Sequence, residues 1–214
     1  MSPESPLVEL RGVGARVGST AILRDIDFVV QPGEAVGLFG ANGSGKTTLL
    51  RIIATLMRPS AGSGHVLGAD LDGADRFDVR PRIGLIGHIP GLYPELTLGE
   101  NLEFAARIAG IPKTRAGEAL SAVGLADAGD RRSDACSHGM QRRAEFAREM
   151  MREPDLLLLD EPHTALDKDA IDLVGHLVES IASAGGAVVV VSHDAERVRS
   201  IVSRTAKLVS GAFR

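Results

Sequence analysis

No stretch of this chain restricts its fold more than Ala35 to about Met57. Ala35-Val36-Gly37-Leu38-Phe39 is a short apolar run of the kind that forms a strand buried on both faces. Gly40-Ala41-Asn42-Gly43-Ser44-Gly45-Lys46-Thr47 follows at once, and from Lys46 to about Met57 apolar residues recur at helical spacing. A buried strand that turns through glycines into a helix belongs to an α/β core sheet with helices on its faces. Leu156–Leu159 and Ala187–Val191 are further unbroken apolar runs, Ile83–Ile86 is a shorter one, and a last strand is expected near Leu208. Val8–Leu10 and Ile26–Val30 alternate apolar with polar residues instead, which predicts an N-terminal antiparallel β subdomain. Thr97-Leu98-Gly99-Glu100 has the spacing of a capping box and opens a helix to about Ala109. Helical stretches at Thr114–Val123 and Met140–Met151 complete an inserted helical subdomain at about 98–152, and another runs over Ala170–Ser183. The expectation is one domain over 1–214, with its core at about 1–97 and 153–214.

Composition narrows the function classes. The 214 residues are 44% apolar, enough for a sizeable core, and 24% charged. Aromatics make up 3%, with no Trp and one Tyr, which disfavours modules that stack exposed bases on aromatic platforms. A net charge of −4 supplies no basic field for a phosphate backbone, so no nucleic-acid partner is expected. The single Cys136 rules out an intrachain disulfide framework and suits a reducing compartment. Met1 to Leu10 has neither the basic nor the apolar part of a signal peptide. The longest apolar uncharged run, Ser180 to His193, falls short of the roughly 20 residues that span a bilayer. The chain is expected to be cytoplasmic and to meet a membrane only through a partner.

Gly40 to Thr47 matches the pattern G-x-x-x-x-G-K-T in full, between a buried strand and a helix. In that setting the backbone N–H groups of Gly40, Ala41, Asn42, Gly43, Ser44 and Gly45 curve around the phosphates of a nucleoside triphosphate. The helix N-terminus adds positive partial charge at the same place. Lys46 brings a mobile cation to the β- and γ-phosphates, Thr47 a hydroxyl ligand for Mg²⁺, and Thr48 completes the nucleotide-binding set. Asp160-Glu161 follows the run Leu156–Leu159, at the C-terminal strand end where open α/β sheets bind their ligands. Asp160 is placed to hold Mg²⁺ through a bound water and Glu161 to polarise the water that attacks the γ-phosphorus. Either motif alone is also compatible with an ordinary turn; together they are not.

In order, these motifs resemble the ATP-binding subunit of ABC transporters over essentially the whole chain. Cys136-Ser137-His138-Gly139-Met140 stands at the family's L-S-G-G-Q signature, and Thr164-Ala165-Leu166-Asp167 at its D-loop. Ser192-His193-Asp194 stands at the switch histidine, Gly87-His88-Ile89-Pro90-Gly91-Leu92-Tyr93 at the Q-loop, and Val17-Gly18 at the adenine-stacking station. The resemblance implies an ATPase that works as a homo- or heterodimer, each ATP lying between one subunit's phosphate loop and the other's signature. Ser137 and the Gly139 N–H would bind the partner's γ-phosphate, and His193 would bridge the γ-phosphate in the same site. It also implies a transmembrane permease subunit docked on the helical subdomain, for which exposed apolar residues such as Leu92 and Tyr93 would be typical. The chain would then sit on the inner face of the cell membrane.

Three stations depart from the family pattern. His88 replaces the Q-loop glutamine and is a candidate metal ligand; His138 and Met140 alter the signature; Val17 offers adenine a smaller, non-aromatic face. Glu161, Asp160 and His193 are retained, which favours an active ATPase over a nucleotide-gated module that does not hydrolyse. Gly87-His88-x-Pro90-Gly91-Leu92 resembles the haem-exporter branch associated with cytochrome c maturation. A soluble ABC ATPase acting in assembly or cell division is the alternative. A nucleic-acid machine of the superfamily would need a long coiled-coil insertion or tandem domains, and only about 90 residues separate the phosphate loop from the signature here.

Overall fold

The computed structural model describes residues 5–163 and 168–214. In chain order it begins β1 (Val8–Val17), β2 (Thr20–Val30), β3 (Ala35–Phe39), α1 (Lys46–Ile53), β4 (Ala61–Val66), β5 (Ala69–Asp70) and β6 (Ile83–Ile86). Helices α2 (Leu98–Ala109), α3 (Thr114–Ala122) and α4 (His138–Arg152) follow. The chain ends with β7 (Leu156–Asp160), α5 (Lys168–Ser183), β8 (Ala187–Ser192), α6 (Ala195–Arg199), β9 (Arg204–Val209) and β10 (Ala212–Phe213). These elements fall into two compact units, one of 1–85, 154–161 and 178–214, the other of 86–153 and 162–177.

The first unit contains a four-stranded sheet, β2-β1-β4-β5, and a second sheet ordered β10-β9-β3-β8-β7-β6. Pairing in the first sheet is antiparallel, with Val8 opposite Val30 and Leu10 opposite Phe28. In the second sheet β3 runs parallel to β8 and β9, and β7 parallel to β8. One core joins Leu10, Ile26 and Phe28 to Leu49, Ile52 and Ile53 of α1 and to Val36, Leu38, Leu158 and Val189 of the parallel strands. Leu156–Leu159 and Val188–Val191 are fully buried at every position, which is why both runs lack alternation. Each such side chain removed from water stabilises the fold by about 1.5–3 kcal/mol.

Helix α1 ends at Ile53, four residues before the expected Met57. Thr55 takes a left-handed φ of +60°, and Arg80 fixes it there by donating to its hydroxyl at 3.0 Å and its carbonyl at 2.7 Å. The sequence does not predict the β4–β5 hairpin: Pro59-Ser60-Ala61-Gly62 reads as the close of the preceding helix, and β4 exists because it pairs antiparallel with β1, Val66 opposite Val8.

The second unit contains α2, α3 and α4. Thr97 caps α2 as its spacing predicts: its hydroxyl accepts the Glu100 N–H, and the Glu100 carboxylate accepts the Thr97 N–H at 2.8 Å. Helix α4 starts at His138 rather than Met140, because the Ser137 hydroxyl accepts the Met140 N–H at 3.3 Å and serves as its N-cap.

Candidate active site

Parallel pairing sets three strand ends side by side. Phe39 of β3 lies opposite Ser192 of β8, and Asp160 of β7 opposite Val191. The residues that follow these ends, Gly40, Glu161 and His193, therefore open on the same edge of the sheet.

The loop after β3 has room only for glycine at two places. A Cβ on Gly40 would collide with the Leu208 carbonyl oxygen and reach 2.6 Å from Ser44 Oγ. Gly45, the residue before α1, has a φ of +106°, and its Cβ would lie 2.6 Å from Leu23 Cδ2. Ala41, Asn42 and Gly43 are exposed, and Ser44 is buried. Ser44 Oγ has no hydrogen-bond partner among the described residues, an orphaned polar atom of the kind a phosphate oxygen satisfies. Lys46 is buried, and its ammonium donates to the Gly40 carbonyl at 2.7 Å and the Ala41 carbonyl at 3.1 Å. Its charge is thus stored at the loop, on acceptors that phosphate oxygens can replace. Thr48 is half-buried in the first turn of α1.

The Thr47 hydroxyl donates to Oδ2 of the buried Asp160 at 2.9 Å. Two oxygen donors thereby meet beside the loop, the hard donor set that Mg²⁺ takes along with water and phosphate. Glu161 carries the next carboxylate. Its N–H donates to the Val191 carbonyl at 2.9 Å, and its φ of +53° ends β7. Nδ1 of His193 lies 2.9 Å from Glu161 Oε2, the imidazole exposed and the carboxylate largely covered. A carboxylate beside an imidazole at a strand end can orient a water and accept its proton.

Val17 closes the β1–β2 hairpin opposite Thr20 and is 61% exposed. In the second unit, Ser137 and His138 are exposed at the start of α4, and Gly139 lies in its first turn. The Gly139 N–H is among the amides that a helix leaves unpaired at its N-terminus. His88 and His138 line one cavity of about 400 Å³ together with Ile89, Pro90, Leu92 and Gln141. Tyr93 is exposed, whereas Leu92 is half-buried in the cavity wall. Among the described residues no three His, Cys, Asp or Glu side chains converge as a metal cluster. Thr164-Ala165-Leu166-Asp167 lies outside the described residues.

A network that the sequence does not announce ties the 87–91 segment to α4. Arg142 donates to the carbonyls of Gly87 at 2.7 Å and His88 at 3.2 Å, and pairs with Glu145 at 3.0 Å. Glu145 also accepts the Gly91 N–H at 2.8 Å. Burial pushes the Glu145 carboxyl above the usual carboxylate range, against the Gly91 N–H, Arg142 and Arg148, which pull it down. The only local hint is the three-residue spacing of Arg142 and Glu145 on one helix. The Arg142 and Glu145 side chains are 4% and 1% exposed, so Glu145→Ala leaves a buried guanidinium short of its counter-charge. We expect that variant to lose about 3–5 kcal/mol of stability, read as an earlier midpoint in urea unfolding.

Fold and site together define a phosphate-loop nucleotide-binding protein. The profile of the ABC transporter family matches residues 23–164, and the chain belongs to that family. It is 36% identical to the cytochrome c biogenesis ATP-binding export protein CcmA of Cupriavidus necator over 190 residues, 88% of this chain and 83% of that one. It is 34% identical to the macrolide export ATP-binding/permease protein MacB of Rhodopseudomonas palustris, over 94% of this chain but only 32% of MacB. The methionine import ATP-binding protein MetN of Brucella abortus is 32% identical, over 97% of this chain and 58% of MetN. Among solved structures, a dimeric ATP-binding cassette in a post-hydrolysis state, bound to ADP and Pi, superposes with a TM-score of 0.87. That match has 28% identity and covers 97% of this chain and 96% of the other.

Proposed function

We propose that this chain is the ATP-hydrolysing subunit of an ABC transporter and powers transport through a separate membrane subunit. The observation that carries the reading is the convergence of Lys46, the Thr47–Asp160 pair and the Glu161–His193 pair on one sheet edge. Gly40 to Thr48 cradle the triphosphate, with Lys46 exchanging its loop carbonyls for phosphate oxygens. Thr47 and Asp160 hold Mg²⁺, which when bound offsets the negative charge of the phosphates. Glu161 accepts the proton of the attacking water, and His193 orients the γ-phosphate. Two copies, or this chain and a relative, close on ATP, with Ser137 and the Gly139 N–H of one meeting the nucleotide of the other. The post-hydrolysis relative, solved as a dimer, supports this arrangement.

The domain is read as core at about 1–97 and 153–214 with a helical subdomain at about 98–152. Among the described residues no helix is long and apolar enough to cross a membrane. The second unit exposes Ile89 at 80% and Ile108 at 71%, and also Tyr93 and Phe104, whose rings meet edge to face at 5.2 Å. That apolar surface suits the docking of a permease at the inner face of the cell membrane. His88 is the candidate further ligand for the metal. Similarity to CcmA over most of both chains supports the cytochrome c biogenesis export branch. Co-purification of the native complex tests the assignment: a polytopic membrane protein is the expected companion, and an assembly scaffold in its place would select the soluble alternative.

Val17 at the adenine station predicts weak base selectivity. Base stacking on an aromatic is worth roughly 1–3 kcal/mol, a contribution that valine forgoes. ATP and GTP are therefore expected to be hydrolysed with similar efficiency, and Val17→Tyr to tighten ATP binding up to about tenfold by titration calorimetry. A wild-type chain that strongly prefers ATP would place base recognition elsewhere.

A further inference from the structure

We propose that Ser192 is a positioning residue that holds the Glu161 carboxylate in line for proton transfer; the proposal rests on Glu161 being the base. The register of the parallel strands brings the two together. Asp160 lies opposite Val191, so the chain after Asp160 runs beside Ser192, which itself lies opposite Phe39, the last residue before the phosphate loop. Ser192 is buried. Its hydroxyl accepts the Asp194 N–H at 3.0 Å and donates to Glu161 Oε2 at 3.4 Å.

A serine hydroxyl has one proton to give, and the Asp194 N–H occupies a lone pair, so the proton is turned toward the carboxylate. At 3.4 Å the contact is longer than the about 2.5–3.0 Å of an ordinary hydroxyl–carboxylate bond, and catalytic contacts are often long until substrate binds. Main-chain geometry sets where Glu161 starts, through its bond to Val191 and its left-handed φ, but not the torsions of its side chain. Among the described residues, Ser192 and His193 are the groups that meet Oε2 and bear on those torsions.

The two anchors are not equivalent. His193 is 69% exposed and is the group proposed to turn to the γ-phosphate. Once it does, its hold on Oε2 is gone, and the buried hydroxyl is what keeps the carboxylate aimed. Ser192 thus acts when the triphosphate is bound.

The test is a double-mutant cycle on ATP hydrolysis. Ser192→Ala is expected to lower kcat about tenfold, the scale of one lost hydrogen bond, with KM for ATP held within about twofold. In a Glu161→Gln background the same change is expected to have no further effect, because the carboxylate that it serves is gone. Ser192→Thr, which keeps the hydroxyl, is expected to stay within about threefold of wild type. Equal losses in both backgrounds, or a threonine variant as impaired as alanine, would show a packing role and overturn the proposal. Unchanged kcat in Ser192→Ala beside an inactive Glu161→Gln rejects the role of Ser192 alone. An active Glu161→Gln rejects the base itself.

Discussion

Glu161→Gln is expected to slow ATP hydrolysis by about two or more orders of magnitude while leaving ATP binding intact. The amide keeps the shape of the side chain and can still accept from His193, but it cannot take a proton from water. Binding survives because it rests on the phosphate loop, whose contacts Glu161 does not enter. With hydrolysis blocked, the ATP-bound dimer accumulates, so size-exclusion chromatography with ATP and Mg²⁺ should show the mass double. Phosphate release close to the wild-type rate would remove Glu161 from the chemistry.

Lys46→Ala is expected to make ATP affinity and turnover collapse together. The ammonium held on the Gly40 and Ala41 carbonyls is the only side-chain cation within the Gly40–Thr47 motif. A triphosphate lacking it keeps only amide dipoles and the metal to balance its charge. Removing one partner of a desolvated, hydrogen-bonded charge pair typically costs about 2–5 kcal/mol, or some 30- to 5,000-fold in affinity. Titration calorimetry measures this directly, and an unchanged ATP affinity would mean that the loop does not cradle phosphates. The alanine also leaves two loop carbonyls without their donor, so thermal unfolding should be followed alongside.

How far sequence reached depended on whether the determinants were local. Gly40 to Thr47 and Asp160-Glu161 are contiguous, and their setting of buried runs could be read beside them. Thr97 and Glu100 announced the start of α2 because a capping box is closed within four residues. The β4 strand was illegible, since Ala61-Gly62-Ser63-Gly64 has little strand preference and extends only by pairing with β1, about 50 residues earlier. Nothing local marks Glu145 and Glu149 as buried, yet packing takes both out of water with arginines of their own helix as partners. Ser192 carries no motif of its own; its contact with Glu161 joins residues 31 positions apart through strand register.

Glu161 occupies a backbone conformation that suits other residues better. A left-handed φ of +53° costs a side chain with a Cβ about 1–2 kcal/mol, while glycine, asparagine and aspartate adopt it more readily. None of those three has the length of glutamate, whose extra methylene carries the carboxylate to Ser192 and His193. Conformational ease and reach are therefore in conflict at this position, and no natural side chain satisfies both. Drift toward aspartate would relax the main chain and shorten the arm in one step. Selection for stability alone would favour that exchange, so the persistence of glutamate here would register continued demand for turnover.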